Sequence, residues 1–235
     1  MKLIIAGATG FVGKEVIRQS LLNPNIKSVV ALARRPVVSP PGTDATKLKS
    51  VVVEDYAHYS DEVKKEFAGA DACIWTVALT PSKAKKLPFD EVARVCQTST
   101  LEALSALRDA GVGRPFRFIY ISATAAERDQ SKKPSWMPEY FLMRGETENR
   151  VLAFAAAHSD EMFVACVAKP GLITSSIGSS ILAVALKLVM GVPSVSVEEI
   201  SAAMLRQVVE GFEKEPLECK DLVRIGRKAL DARKV

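Results

Sequence analysis

The chain has 235 residues, 48% hydrophobic and 25% charged, the composition of a folded globular domain; this excludes a collagen-like or low-complexity chain. Its net charge of +5 is spread over scattered basic residues, with only small clusters at Lys83-Lys85-Lys86, Lys132-Lys133 and Arg224-Arg227-Lys228. None is interleaved with aromatic residues as a single-strand nucleic-acid binder requires, so no nucleic-acid partner is expected. Four dispersed cysteines without a C-x-x-C pair, and two histidines without neighbouring ligands, predict a reduced, cytoplasmic setting and no metal site.

Apolar runs alternate with amphipathic stretches from the first residue. Residues 2–6 read as a buried strand, 7–13 as a glycine turn and 11–22 as a helix. A second strand over 28–33 ends in Arg34-Arg35-Pro36, and the prolines and glycine of 36–46 predict a surface loop. A third strand is expected over 49–54, a charged helix over 60–68 and a fourth strand over 72–77. Apolar positions at Val92, Val95, Leu101, Leu104 and Leu107 predict one long helix over 88–110. A fifth strand over 116–122, a helix over 140–157 and a sixth strand over 163–168 follow.

Continuous apolar strands such as Phe118-Ile119-Tyr120-Ile121, separated by helices, indicate a parallel sheet covered on both faces and joined by right-handed crossovers. The fold class is therefore α/β, a Rossmann-like doubly wound sheet that binds ligands at the carboxyl ends of its strands. Beyond residue 169 the pattern weakens, with helices predicted at 177–190, 197–212 and 222–232. Residues 169–235 read as a small, substrate-side helical lobe of a single 1–235 domain. The apolar stretch 181–190 contains Lys187 and is about half as long as a membrane helix needs. The apolar run ahead of Gly7 is too short for a signal peptide.

Gly7-Ala8-Thr9-Gly10-Phe11-Val12-Gly13 has the spacing G-x-x-G-x-x-G, directly after a strand and at the opening of a helix. Gly7 permits the tight turn, Gly10 lets the backbone approach a diphosphate and Gly13 lets the helix pack on the strand. The amides of the helix start stabilise phosphate charge, and Thr9 adds a hydroxyl. After the second strand, an acidic residue would pair with the ribose of NAD; this chain has Arg34 and Arg35 instead, which suit the extra phosphate of NADP(H). Asp55 and Tyr56 are either adenine contacts or plain loop residues. Thr76, Val77 and Ala78, after the fourth strand, are expected beside the nicotinamide half.

Further motifs occur in the same order: Ala33-Arg34-Arg35, Tyr120-Ile121-Ser122-Ala123, Tyr140-x-x-x-Arg144-Gly145-Glu146-x-Glu148 and Lys169-Pro170-Gly171. Together with the glycine turn they resemble the atypical short-chain dehydrogenase/reductases, a group that includes NmrA-like proteins and Tat-interacting-protein-like oxidoreductases. The resemblance covers about residues 2–171. It implies an NAD(P)H-dependent activity with Tyr140, Arg144 and Ser122 at the active site; Lys169 is either a cofactor or substrate contact or a surface charge. The family's Tyr-x-x-x-Lys has arginine here, and its Arg-Pro-Gly has lysine. Some relatives bind the cofactor without turnover.

Tyr140 and Arg144 share a helix face. A cation beside the phenol is worth about 4 kcal/mol at 4 Å and is expected to lower its pKa from about 10. Arg144 supplies the charge but cannot relay a proton. Ser122, or Thr124 two residues on, is placed to bond a substrate oxygen. The plainer alternatives are an interface tyrosine, an Arg144–Glu148 pair and a strand-end serine. Residues 123–139, with Trp136 and Met137, are expected to form a loop over the site, opposite 172–190. These features lead to an NADPH-dependent reductase of a small, mainly apolar carbonyl compound. The alternatives are a non-catalytic NADP(H)-binding regulator and a redox-neutral isomerase or dehydratase; a homodimer or protein partner is compatible with each.

Overall fold

The computed structural model describes residues 1–160, 162–175 and 193–232. The helix predicted at 177–190 lies outside them. In chain order the elements are β1 (Lys2–Ala6), α1 (Phe11–Leu21), β2 (Ser28–Ala33), a 3-10 turn (Ala45–Lys47), β3 (Leu48–Val52), α2 (Asp61–Phe67), β4 (Ala72–Trp75), α3 (Pro81–Ala84) and α4 (Phe89–Ala93). A π turn (Arg94–Thr98), α5 (Ser99–Asp109), β5 (Phe116–Ile121), α6 (Pro138–Ala157), β6 (Phe163–Lys169) and β7 (Leu172–Thr174) follow. The last described elements are β8 (Ser194–Ser196), α7 (Val197–Glu210), β9 (Leu217–Glu218) and α8 (Cys219–Asp231).

Seven parallel strands form the main sheet in the order β3-β2-β1-β4-β5-β6-β9, and β7 and β8 pair in a separate two-stranded sheet. Central strands are apolar throughout because helices cover both faces. Leu3, Ile4 and Ile5 of β1 are wholly buried, each burial contributing about 1.5–3 kcal/mol. α1, α7 and α8 pack on one face through Val16, Ile17, Ile200, Leu205 and Leu222. α2, α5 and α6 pack on the other through Phe67, Leu104 and Val151. The strand order reverses between β1 and β4, which opens the ligand crevice at their carboxyl ends.

The helix predicted over 88–110 runs from Phe89 to Asp109 and is widened by the π turn at Arg94–Thr98. Ser99 donates to the Arg94 carbonyl at 3.0 Å and Thr100 to that of Cys96 at 3.0 Å, so hydroxyls take up carbonyls around the widened turn. The edge strand β9 was not predicted; it pairs Ala168 with Leu217 and Lys169 with Glu218. α8 starts ahead of the predicted 222 because Glu218 and Asp221 form a reciprocal cap.

Candidate functional site

The glycine turn sits at the head of the crevice. Gly7 has a φ of 78°, a backbone that favours glycine, and a Cβ there would strike the Thr76 hydroxyl. A Cβ on Gly13 would meet the Gly7 carbonyl, and one on Gly10 would lie 3.0 Å from it. No side chain caps α1, so the amides at its start keep donors for an anion. Bare backbone and uncapped amides fit a dinucleotide diphosphate.

The turn is held from below. Gly7 N–H is shared between the Leu32 carbonyl at 3.1 Å and Tyr56 Oη at 3.2 Å, while Tyr56 donates to Leu32 O at 2.7 Å. Tyr56 is buried edge-on against Trp75, 5.5 Å between ring centres, so this phenol is a brace and not an adenine platform. Thr76 donates to Ala6 O at 2.7 Å, securing the end of β4 and leaving Ala78 exposed at the crevice. Asp55 accepts from Ala57 N–H at 3.0 Å and Arg94 at 2.8 Å, and these contacts hold its carboxyl below the usual range. Arg34 and Arg35 are both exposed beyond β2.

On the other side of the crevice, α6 turns one stripe inward: Tyr140, Arg144, Glu148, Val151 and Ala155 are all buried. Tyr140 donates to the Leu79 carbonyl at 2.7 Å and accepts from Arg144 at 3.4 Å. Arg144 also donates to Ile121 O at 2.6 Å, beside Ser122, and its guanidinium lies 5.2 Å from the centre of the Tyr120 ring. Arg144 is 2% exposed, its Nε has no partner, and it forms no ion pair with a carboxylate among the described residues. Tyr140 and Arg144 thus meet on one helix face, as the spacing predicted, and Arg144 also bridges to the end of β5.

Ser122 donates to Glu148 Oε1 at 2.5 Å. Glu148 pairs with Lys169 at 2.9 Å and Arg128 at 2.6 Å, not with Arg144. Lys169, expected near cofactor or substrate, directs its donors at both Glu148 oxygens and the Ala126 carbonyl, and is 7% exposed. Thr124 is likewise engaged, donating to Lys169 O at 3.1 Å.

A profile of NAD(P)H-binding proteins matches residues 7–209. The chain belongs to the NAD(P)H-binding family. This bears out the resemblance to the atypical short-chain dehydrogenase/reductases, whose fold it shares. It is 28% identical over 122 residues to "Leucinostatins biosynthesis cluster protein T" of Purpureocillium lilacinum, covering 52% of this chain and 42% of that one. The chain spans between 36% and 65% of the curated relatives it matches. The reductase domain of PhqB from Penicillium fellutanum superposes with a TM-score of 0.69 at 17% identity, over 94% of this chain and 67% of that one. The dTDP-glucose 4,6-dehydratase DesIV from Streptomyces venezuelae, solved with NAD bound, gives 0.68 at 16% identity, over 100% and 82%.

One expectation for this NAD(P)H-binding protein is reversed: the Tyr140 pKa is raised, not lowered. Burial disfavours the phenolate by more than Arg144 stabilises it. The 123–139 loop is docked as well. A Cβ on Gly145 would collide with the Glu127 carbonyl, Asn149 donates to Arg128 O at 2.9 Å, and Arg128 also holds Glu215 at 2.6 Å. Trp136 remains 51% exposed and carries Lys85 4.9 Å from its ring centre. Sequence reading missed Glu148 and Arg128 as the hub of this corner. The signal was a carboxylate on the stripe shared with Val151 and Ala155, which must be paired when buried. Among the described residues no group of His, Cys, Asp and Glu could hold a metal, and no helix is long and apolar enough to cross a membrane.

Proposed function

We propose that this chain is an NADPH-dependent oxidoreductase that reduces a carbonyl of a small, mainly apolar molecule in a reduced, cytoplasmic setting. The observation that carries this reading is Arg144, a buried cation without a carboxylate partner among the described residues, 3.4 Å from the Tyr140 hydroxyl. A buried unpaired charge is costly, and such costs gather at sites where charge develops during reaction.

Bound NADPH supplies a hydride. Tyr140, kept protonated at neutral pH by its raised pKa, holds the proton for the substrate oxygen, exchanging its bond to Leu79 O for one to the substrate. As the proton leaves, negative charge grows on the phenol oxygen and Arg144 stabilises it. Ser122 donates to Glu148 in the resting site, and orienting the substrate oxygen requires it to turn that hydroxyl from the carboxylate to the substrate. Water returns the proton to Tyr140, because arginine cannot release one. Arg34 and Arg35, with no acidic residue beside them, favour NADP(H) over NAD(H).

The test is Tyr140→Phe. Consumption of NADPH across a panel of aldehydes and ketones should be lost while calorimetric affinity for NADPH is kept. A second reading, a non-catalytic NADP(H)-binding regulator, is favoured by the covered state of Tyr140, 4% exposed with its proton on a backbone carbonyl. NADPH binding with no consumption by the unaltered protein would support it.

A further inference from the structure

The basic clusters at Lys83-Lys85-Lys86 and Lys132-Lys133 are remote in sequence, yet the fold brings them to one surface. Lys85 Nζ lies 4.9 Å from the centre of the Trp136 ring, which ties the end of α3 to the end of the 123–139 loop. Leu87, Phe89 and Trp136 are 42%, 43% and 51% exposed, so three large apolar side chains stand in water among these lysines. The patch lies at the rim of the crevice. Ala84, Met137 and Phe141, from the same segments, belong to the cluster that buries Tyr140.

The backbone keeps these side chains outside. Lys86 N–H donates to the Lys83 carbonyl at 3.0 Å and Leu87 N–H to that of Ala84 at 3.2 Å, so the turn closes with Ala84 buried and Lys83, Lys86 and Leu87 exposed. At Met137 the chain takes a φ of 45°, a costly conformation for a residue with a side chain. Met137 packs against the cluster while Trp136 stays out.

The charges do not cancel. Lys132 is held by Glu127 at 3.4 Å, but Lys83, Lys85, Lys86 and Lys133 are exposed and in no ion pair among the described residues. Of the acids on the same stretches, Glu91 is taken by Arg94 at 2.8 Å, which leaves only Asp90 and Glu139 against the four lysines. Lysines around tryptophan, phenylalanine and leucine suit the boundary of a lipid bilayer: the apolar groups enter it and the ammonium groups meet anionic headgroups. A single-stranded nucleic acid needs successive ring faces for its bases, and Leu87 offers none.

We infer that Trp136, Leu87 and Phe89, with the lysines around them, dock this protein on the surface of an anionic bilayer, with the crevice rim beside Tyr140 at the headgroups. The docking goes beyond the reductase reading and requires neither coenzyme nor turnover.

The experiment is flotation of the intact protein with phosphatidylcholine vesicles, with and without phosphatidylserine, at low and high salt. Three variants are compared: Trp136→Ser, the double variant Lys83→Ala/Lys86→Ala, and Lys220→Ala/Lys228→Ala, which removes the same charge from exposed positions on α8. The intact protein should float with the serine-containing vesicles and be released by salt. Loss of Lys83 and Lys86 should weaken binding about twentyfold, roughly fivefold for each lysine, and Trp136→Ser should weaken it several-fold. The α8 variant should stay within about twofold of the parent. Unchanged thermal melts show that the variants are folded. No flotation of the intact protein overturns the assignment, and so does an equal loss in the α8 variant, which would mark a general attraction of a basic protein. Binding of a single-stranded oligonucleotide in place of vesicles, lost in Lys83→Ala/Lys86→Ala, overturns it in favour of a nucleic-acid partner. Failure of the Tyr140→Phe test removes the reductase reading and leaves these outcomes as they stand.

Discussion

Ser122 gives its hydroxyl proton to Glu148 across 2.5 Å, joining the end of β5 to the middle of α6 inside the protein. The same carboxylate receives Lys169 from the end of β6 and Arg128 from the β5–α6 loop, and Arg128 carries the chain of charges on to Glu215. Three stretches of the chain, 122–128, α6 and the end of β6, therefore meet at one side chain that water does not reach.

Removing that side chain should be far worse than neutralising it. Glu148→Ala strands the Lys169 ammonium and should cost about 3–5 kcal/mol, whereas Glu148→Gln keeps an acceptor and should cost less. Urea unfolding followed by circular dichroism measures both. An Ala variant with an unchanged midpoint would show that the cluster contributes nothing.

Arg144 should show the opposite pattern. Arg144→Met removes a buried charge that has no carboxylate partner among the described residues, so stability should stay within about 1–2 kcal/mol of the parent. The reductive rate should fall by about a hundredfold or more, the scale of a lost charge-stabilising donor. Because the Tyr140 pKa is raised, the parent's rate should hold level from neutral to about pH 9, with the phenol still protonated. Steady-state rates with thermal melts of the same samples decide this, and a variant that unfolds without losing specific activity defeats it.

Alkali should loosen the fold partly through Tyr56, whose pKa burial pushes up to about 12 from 10.0. A raised folded-state pKa means that this contribution is whole below pH 10 and is lost as pH climbs toward 12, at about 1.4 kcal/mol per pH unit. Tyr56→Phe should be less stable at pH 8 by about 1–2 kcal/mol, having lost its bonds to Leu32 and Gly7, yet should lose less on going to alkali. Equal alkaline losses in the two proteins would remove Tyr56 from the account.

Gly145→Ala should destabilise by about 2–3 kcal/mol or detach the 123–139 loop, since the added carbon meets backbone on both sides of the Glu127–Arg128 peptide. Faster proteolysis within that loop, with the strands still protected from hydrogen exchange, is the expected signature. Unchanged melting and unchanged cleavage would contradict the close docking.

The sheet and the glycine turn were legible because each rests on local signals: apolar runs such as Phe118–Ile121, and glycines where a Cβ has no room. β9 was not, since two residues carry no period and Leu217–Glu218 becomes a strand only by meeting β6. The direction of the Tyr140 shift was misjudged for a related reason. The neighbouring cation is written four residues away, but the burial that outweighs it comes from a cluster that adds Ala84, Val92 and Cys96 from other elements. Lys169 and Glu148 could be paired only once β6 and α6 were side by side.

The phenol beneath the glycine turn also changes how affinity data should be interpreted. Tyr56 grips the turn and the neighbouring strand from the interior, so its loss would deform the cradle and weaken coenzyme uptake without any coenzyme atom having touched it. A map of binding drawn from substitutions alone would mark this residue as a ligand contact, when its role is that of a foundation.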